Sequence, residues 1–396
     1  MKDIPDNSFP CNRPLRLRRR LILFAIAPAS YLAFLFLSLL PRFAESIYGN
    51  AVAPFFSIVL STVTGVLPFA LGELLVVLVL LLYATEAAIA VRDVIRRQRH
   101  IKNALAVGAL RLARDVGVIV GLFYVLWGFN YALPPLPERL GWRSLGDVGR
   151  EELAELVVET AVATNAAYLA VHGNTDIGRP TSLPEDLDSL ERSLQAGWEH
   201  ARAELGLAVY PNWFGGVKTP LFTRLYEWLG IAGYYFPFTG EGNVRAGIPA
   251  IDYPKTLAHE MTHQRGVARE SEANFWGYLA AAHSNDPLAQ YSAYRFANRQ
   301  MVAELARIDP QTALQLSRRR HPGVQRDIEH SRRYWMSFRG RGTALGSTVN
   351  NAFLRSNRVE GGVRSYSMSA FLFLAYARAH GGNLVPGSQR GEMLDR

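Results

Sequence analysis

The run His259-Glu260-Met261-Thr262-His263 places two imidazoles four residues apart, a spacing that puts both on one face of a helix where they can grip a single zinc ion. Glu260 between them is placed to act as a base. The neighbouring residues predict the helix itself. Pro254 sits where a first turn tolerates it, Leu257, Ala258 and Met261 supply apolar neighbours, and Gly266 is a natural stop. A second helix is expected after that glycine, with Glu270 and Glu272 in its first turn.

Hydrolytic zinc needs three protein donors and one open position for water, so a two-histidine site demands a third donor from outside the first helix. A turn at Gly266 can bring the chain back. Arg269, three residues on, cannot bind a metal because it is always protonated, whereas the adjacent Glu270 can. In two-histidine, one-glutamate zincins the third ligand opens a helix with the pattern Glu-x-x-Ala-Asp or Glu-x-x-Ala-Asn. The stretch Glu270-Ser271-Glu272-Ala273-Asn274 resembles it, which favours Glu270 over Glu272. Asn274, one turn further, would share the face of Glu270 and could hydrogen-bond a ligand histidine. Both glutamates also suit a plain solvated helix start, where the dipole favours carboxylates.

The elements that must position these residues begin in a membrane. Residues 21–40 include an uncharged run from Leu21 to Leu40, long enough to cross roughly 30 Å of hydrocarbon. A second span is expected at 71–91, with Glu73 and Glu86 near its ends, and a third at 116–136, between Asp115 and Glu138. Residues 53–66 read as an interfacial or re-entrant piece. Glu73 suits a membrane boundary better than an acid held in lipid. Arg13, Arg16, Arg18, Arg19 and Arg20 precede the first span, and Arg92, Arg96, Arg97, Arg99, Lys102, Arg111 and Arg114 fill the gap before the third. The loop 41–70 holds only Arg42. Basic residues gather on the cytoplasmic side, so the expectation is a bacterial inner-membrane protein with its 1–20 leader inside and its C-terminal domain outside. This asymmetry accounts for much of the net charge of +9, which removes the reason to expect nucleic acid as a partner. The single cysteine, Cys11, lies in the leader, so neither a disulfide nor a thiolate ligand is available outside.

The segment Pro134-Pro135-Leu136-Pro137 reads as a stiff linker closing a membrane part, 21–137. An outer domain follows over 138–384, with a polar tail at 385–396. Apolar spacing over 151–171, 187–205 and 291–308 is helical in period, so the fold class expected is mainly α. A small β element is expected around Tyr234 to Phe238 and Asn243 to Ile248. Such a strand beside the zinc could pair with a peptide backbone; its aromatic residues suit plain core equally.

Several motifs together resemble one family. Val217-Lys218-Thr219-Pro220-Leu221-Phe222, the stretch Gly230 to Glu241, His259 to Gly266, Glu270 to Phe275, and Pro68-Phe69-Ala70-Leu71-Gly72-Glu73 resemble the bacterial membrane family catalogued as domain of unknown function 3810. The resemblance implies a membrane-anchored, zincin-like protein and supplies no substrate. The residues then suggest a mechanism in which His259, His263 and Glu270 hold Zn2+, Glu260 is the general base, and a protein or peptide is hydrolysed. An oxyanion donor is also required, with Tyr235, Tyr253 and Tyr366 as candidates. Two other functions use the same residues: a membrane sensor or assembly factor whose zinc is structural, and a zinc amidase acting on cell-wall amide bonds. An intact Glu260 favours an enzyme, because a structural site needs no base.

Overall fold

The computed structural model describes residues 13–142, 145, 147–207, 214–357 and 368–387. The chain is mainly helical. Its first part comprises α1 (Arg13–Leu39), α2 (Pro41–Ala44), a π-helical stretch Glu45–Val52 running into α3 (Ala53–Gly65), α4 (Leu71–Ile95) and α5 (Ile101–Leu126), followed by a 3-10 turn, Gly128–Ala132. The second part begins with α6 (Leu136–Arg139), α7 (Arg150–Val171), α8 (Leu187–Glu204) and α9 (Thr223–Leu229). A hairpin of β1 (Gly233–Phe236) and β2 (Glu241–Val244) leads to α10 (Tyr253–Gln264) and α11 (Glu270–Ala282). Then come α12 (Pro287–Ile308), α13 (Pro310–Ser317), α14 (Pro322–Ser337), α15 (Arg341–Ser356) and α16 (Met368–Ala379).

Among the described residues, four stretches are long and apolar enough to cross a membrane: Ile22–Leu39, Pro41–Gly65, Leu71–Ile95 and Arg150–Val171. Their surroundings separate them. The most apolar window of α4 is 0% buried, as befits a helix apolar all round with no protein partner for most of its surface. In contrast, half of the α7 window is buried, and the Val157 carbonyl in α7 accepts from Asn298 of α12 at 2.9 Å, so α7 is a core helix. The stretch Pro41–Gly65, about 37 Å long at 1.5 Å per residue, touches the second part along its whole length. Glu45 pairs with Arg139 at 2.7 Å, Ser57 donates to the Gln264 carbonyl at 2.6 Å, and Thr64 donates to the Thr239 carbonyl at 3.1 Å. Its opposite side exposes Phe43, Ile47, Phe55, Val59 and Val63, mostly at four-residue spacing. It therefore lies across the second part, as a flat interfacial helix would, with one apolar stripe facing away.

The sequence expectation for the third apolar helix needs correction. It starts at Ile101 and stops at Leu126, where Trp127 leaves helical geometry, so 127–136 are not part of it. Lys102, Arg111 and Arg114 consequently lie inside α5 and not in a loop. Partners make this tolerable: Arg111 meets Glu86 of α4 at 2.9 Å, and Asp115 accepts from Arg114 and from Tyr83 of α4, both at 2.7 Å. Gly117 and Gly121 bring α5 against α1, where an added methyl group would fall 2.1 Å from the Leu23 carbonyl oxygen and 2.3 Å from Ile26. The expected linker is not free either. Leu136 is fully buried, and its N–H donates to Glu272 at 3.0 Å. Nor does the tail begin at 385. Glu159 accepts the N–H groups of Leu384 and Val385 at 2.9–3.1 Å and ties that segment to the core; residues 388–396 lie outside the described residues.

The strands form one antiparallel ladder, Gly233 opposite Val244 and Phe236 opposite Glu241, two residues shorter at the first strand's C-terminal end than the aromatic run suggested. An ion pair fixes this hairpin on the helices. Lys218 meets Glu241 at 2.6 Å, both buried. The lysine also donates to the carbonyls of Thr64 and Phe69, beyond the negative end of α3, while the glutamate accepts from the N–H groups of Leu71 and Gly72 at the positive end of α4. Each charge thus meets the helix end of opposite sign. Glu73 completes the joint by accepting from the Leu221 N–H at 2.6 Å.

Candidate metal centre

The centre is built where α10 ends. Gly266, at φ +88°, closes the helix in the two-bond turn that glycine favours: its N–H donates to the His263 carbonyl at 2.9 Å, and that of Val267 to Thr262 at 3.3 Å. The same turn carries the Val267 carbonyl back to Nδ1 of His263, which donates to it at 2.7 Å. That bond fixes the tautomer and leaves the Nε2 lone pair facing inward. After the turn, Arg269 donates to the carbonyls of Tyr131 and Leu133, pinning the start of α11. Gly277 lets α11 close on α10, since a methyl group there would lie 3.1 Å from the His259 nitrogen.

These contacts bring three donors together. Nε2 of His259 stands 3.1 Å from Nε2 of His263, and the Glu270 carboxylate reaches them at 3.2 Å and 3.7 Å respectively. Donors bound tetrahedrally at ~2.05 Å from one zinc ion would be about 3.3 Å apart, so the spacing fits. The donor set fits as well, because imidazole and carboxylate together suit zinc. Glu272 does not face the centre; it accepts from Leu136. Asn274 does not reach a histidine. Its carbonyl oxygen accepts from Nζ of Lys255, and among the described residues Nδ1 of His259 has no hydrogen-bond partner.

Burial dominates the electrostatics. It drives His259 down to about 4, with the charge of Lys255 acting in the same direction. For His263 burial acts downward too, but hydrogen bonding and charge from Glu270 outweigh it and lift the imidazole to about 9. Glu270 itself is held below the usual carboxylate range, the two imidazoles overcoming the upward push of burial. At neutral pH the chain alone thus pairs the Glu270 carboxylate with a His263 imidazolium, and a divalent cation would take the place of that proton, meeting two imidazole nitrogens and one carboxylate.

Glu260 is 4% exposed, and its Oε2 has no hydrogen-bond partner among the described residues. Burial raises it to about 8, a perturbation of the kind that gathers at functional sites, so without a cation nearby the carboxyl holds its proton near neutrality. Strand β1 runs past it so closely that only glycine fits: a methyl group on Gly233 would lie 2.7 Å from Oε1 of Glu260. On its other side β2 bridges to Lys218, so β2 is central and β1 has no strand on its outer edge among the described residues.

Of the tyrosine candidates, Tyr235 is linked to the centre through Trp127. Its ring packs on Trp127 at 4.6 Å, and the same indole meets the His263 ring edge-on at 6.0 Å. Burial pushes its hydroxyl up to about 12, which keeps it protonated. Tyr253 begins α10, far from that helix's C-terminal turn, and Tyr366 lies outside the described residues. Sequence reasoning missed Trp127 and Lys255. The indole carried no local signal, because its partner is 136 positions away along the chain. Lys255 did carry one, standing four residues before His259 on the same face. It is half-buried with Nζ 4.3 Å from the Phe296 ring centre, and desolvation lowers it to about 7.

The profile of a family described as "Protein of unknown function (DUF3810)" matches residues 48–374. No curated protein and no solved structure matches the chain.

Proposed function

The chain belongs to the DUF3810 family, and from that membership together with the buried cluster we propose that it is a membrane-anchored zinc metallopeptidase. The observation that carries this reading is the convergence of His259, His263 and Glu270 on the helix face beside Glu260, whose Oε2 has no hydrogen-bond partner among the described residues. The three converging residues would hold the ion. Zinc, when bound, supplies a Lewis acid that acidifies water and polarises a carbonyl. Glu260, ionised when a dication is bound beside it, would take the proton from the attacking water and deliver it to the departing nitrogen. Gly233 leaves that carboxylate its space, and the open edge of β1 offers backbone groups to an extended peptide. The protonated hydroxyl of Tyr235 is the oxyanion donor this arrangement favours. A structural zinc site would need neither the base nor the open edge.

In this reading α1, α4 and α5 cross the inner membrane, Pro41–Gly65 lies in its outer surface, and the second part is extracytoplasmic. Support comes from the basic residues at 96–102 and in the leader, at the opposite ends of these helices from the metal centre. The centre then sits at the membrane face, since Trp127 follows α5 directly and Ser57 of α3 bonds Gln264 of the motif helix. The substrate class that fits is an extended polypeptide segment close to that surface. Fusions test the orientation: a reporter after Leu140 is exported and one after Gln98 stays cytoplasmic, whereas the opposite pattern moves the site inside the cell. The chemistry is tested with purified protein on a denatured-protein library. Cleavage that needs zinc and disappears in Glu260→Gln supports the peptidase; cleavage retained by that variant refutes it.

A further inference from the structure

Helix α11 carries Glu270 at its first residue and His283 just past its last, about 20 Å apart at 1.5 Å per residue. At the far end a second group of ligand-bearing side chains converges. His200 and Glu204 are four residues apart on α8, His283 caps α11, and His380 follows α16. One donor atom each from His200, Glu204 and His283 lies within 4.8 Å of the others. His380 joins through its Nε2, 3.2 Å from Oε1 of Glu204.

The hydrogen bonds around this group prepare it for a cation. Nδ1 of His380 donates to the Tyr376 carbonyl at 2.8 Å, so its Nε2 turns a lone pair toward the carboxylate. Tyr376 also donates its hydroxyl to Oε1 of Glu204 at 2.6 Å, which fixes the carboxylate. The His283 side chain is 5% exposed, yet its buried Nε2 has no hydrogen-bond partner among the described residues and stands 3.3 Å from Oε2 of Glu204. The His200 ring stacks on it at 4.9 Å. Imidazole nitrogens facing one carboxylate need a positive charge at the contact, supplied either by ring protons or by a cation shared among them.

We propose that His200, Glu204, His283 and His380 form a second site for a divalent cation of the zinc class, separate from the buried centre. Three imidazoles and a carboxylate are a donor set for zinc and its borderline neighbours, not for calcium or magnesium, which take oxygen. Between His200 and Glu204 stand Ala201, Arg202 and Ala203, so the pair brackets no carboxylate in the role of Glu260 and the site is structural. It fastens the C-terminal ends of α8, α11 and α16 and thereby holds the helix that presents Glu270.

The test uses the full chain in detergent, stripped with a chelator, re-equilibrated with zinc alone and measured for metal content. The wild type then holds about two zinc ions per chain, and His263→Ala and the His200→Ala/His380→Ala pair hold about one each. Combining the three substitutions leaves none. In the His263→Ala background, zinc raises Tm, and the added His200→Ala, which alters an exposed residue, removes most of that rise. A wild type with one zinc that His263→Ala removes overturns the second site, as does a Tm rise that survives His200→Ala. Failure of the buried centre looks different: His263→Ala then keeps the wild-type count.

Discussion

The two ends of α11 carry clusters made from the same parts, an i, i+4 pair on one helix completed by side chains from later helices, yet they differ in everything that makes a site reactive. At the Glu270 end the pair brackets Glu260, both histidines are buried and Glu270 half-buried, and a strand passes within reach of the base. At the His283 end Glu204 is itself a member of the pair, a tyrosine hydroxyl occupies it, and His200 and Glu204 are exposed. Donor chemistry alone therefore does not distinguish a catalytic site from a structural one. In the proposed reading they are distinguished by a spare buried carboxylate beside the donors, Glu260, whose Oε2 has no hydrogen-bond partner among the described residues.

The sharpest way to break this comparison is to remove one carboxylate from each cluster. Glu260→Gln is expected to cut turnover by about 10²–10⁴-fold with the zinc of the buried centre retained, because it deletes a proton acceptor and not a ligand. Glu204→Gln should change turnover less than about tenfold, its effect coming through stability. Equal losses in steady-state kinetics would mean that the division of roles is wrong.

Within the buried cluster the contrast is between neighbours. Glu270→Ala should strip the zinc from the buried centre. Glu272→Ala should keep it and instead destabilise the fold by about 1–3 kcal/mol, since the buried Leu136 N–H loses its acceptor. Metal content and thermal unfolding separate the two. Zinc lost only from the Glu272 variant would leave the two histidines as ligands but remove Glu270 from the set.

The smallest expected effect concerns space and not charge. Gly233→Ala inserts a methyl group 2.7 Å from where Oε1 of Glu260 now sits, so the base must shift. Turnover should fall on the order of tenfold with zinc content unchanged, as misplacement of a reacting group by a fraction of an ångström predicts. Full activity in this variant would show that Glu260 is not confined by β1.

The pair His259 and His263, with Glu260 between them, was legible because a helix converts sequence spacing directly into a shared face. Gly266 as the stop was legible because few other residues adopt its left-handed conformation, and Glu270 because a pattern in the adjacent helix start singled it out. The mainly helical class and the ranges of α7, α8 and α12 followed from apolar periodicity in the same way. Long-range partners were not legible. Asn274 suited a histidine by spacing, but Lys255 reaches it first; Leu136 read as a linker, but Glu272 and the core hold it. The charges of α5 read as a loop because a single sequence does not reveal that Glu86 and Tyr83 stand opposite them. The cluster around Glu204 was invisible for the same reason, its histidines lying up to 180 positions apart along the chain. Local backbone geometry is written in neighbouring residues, whereas which buried polar group satisfies which is settled only when distant helices pack and water leaves.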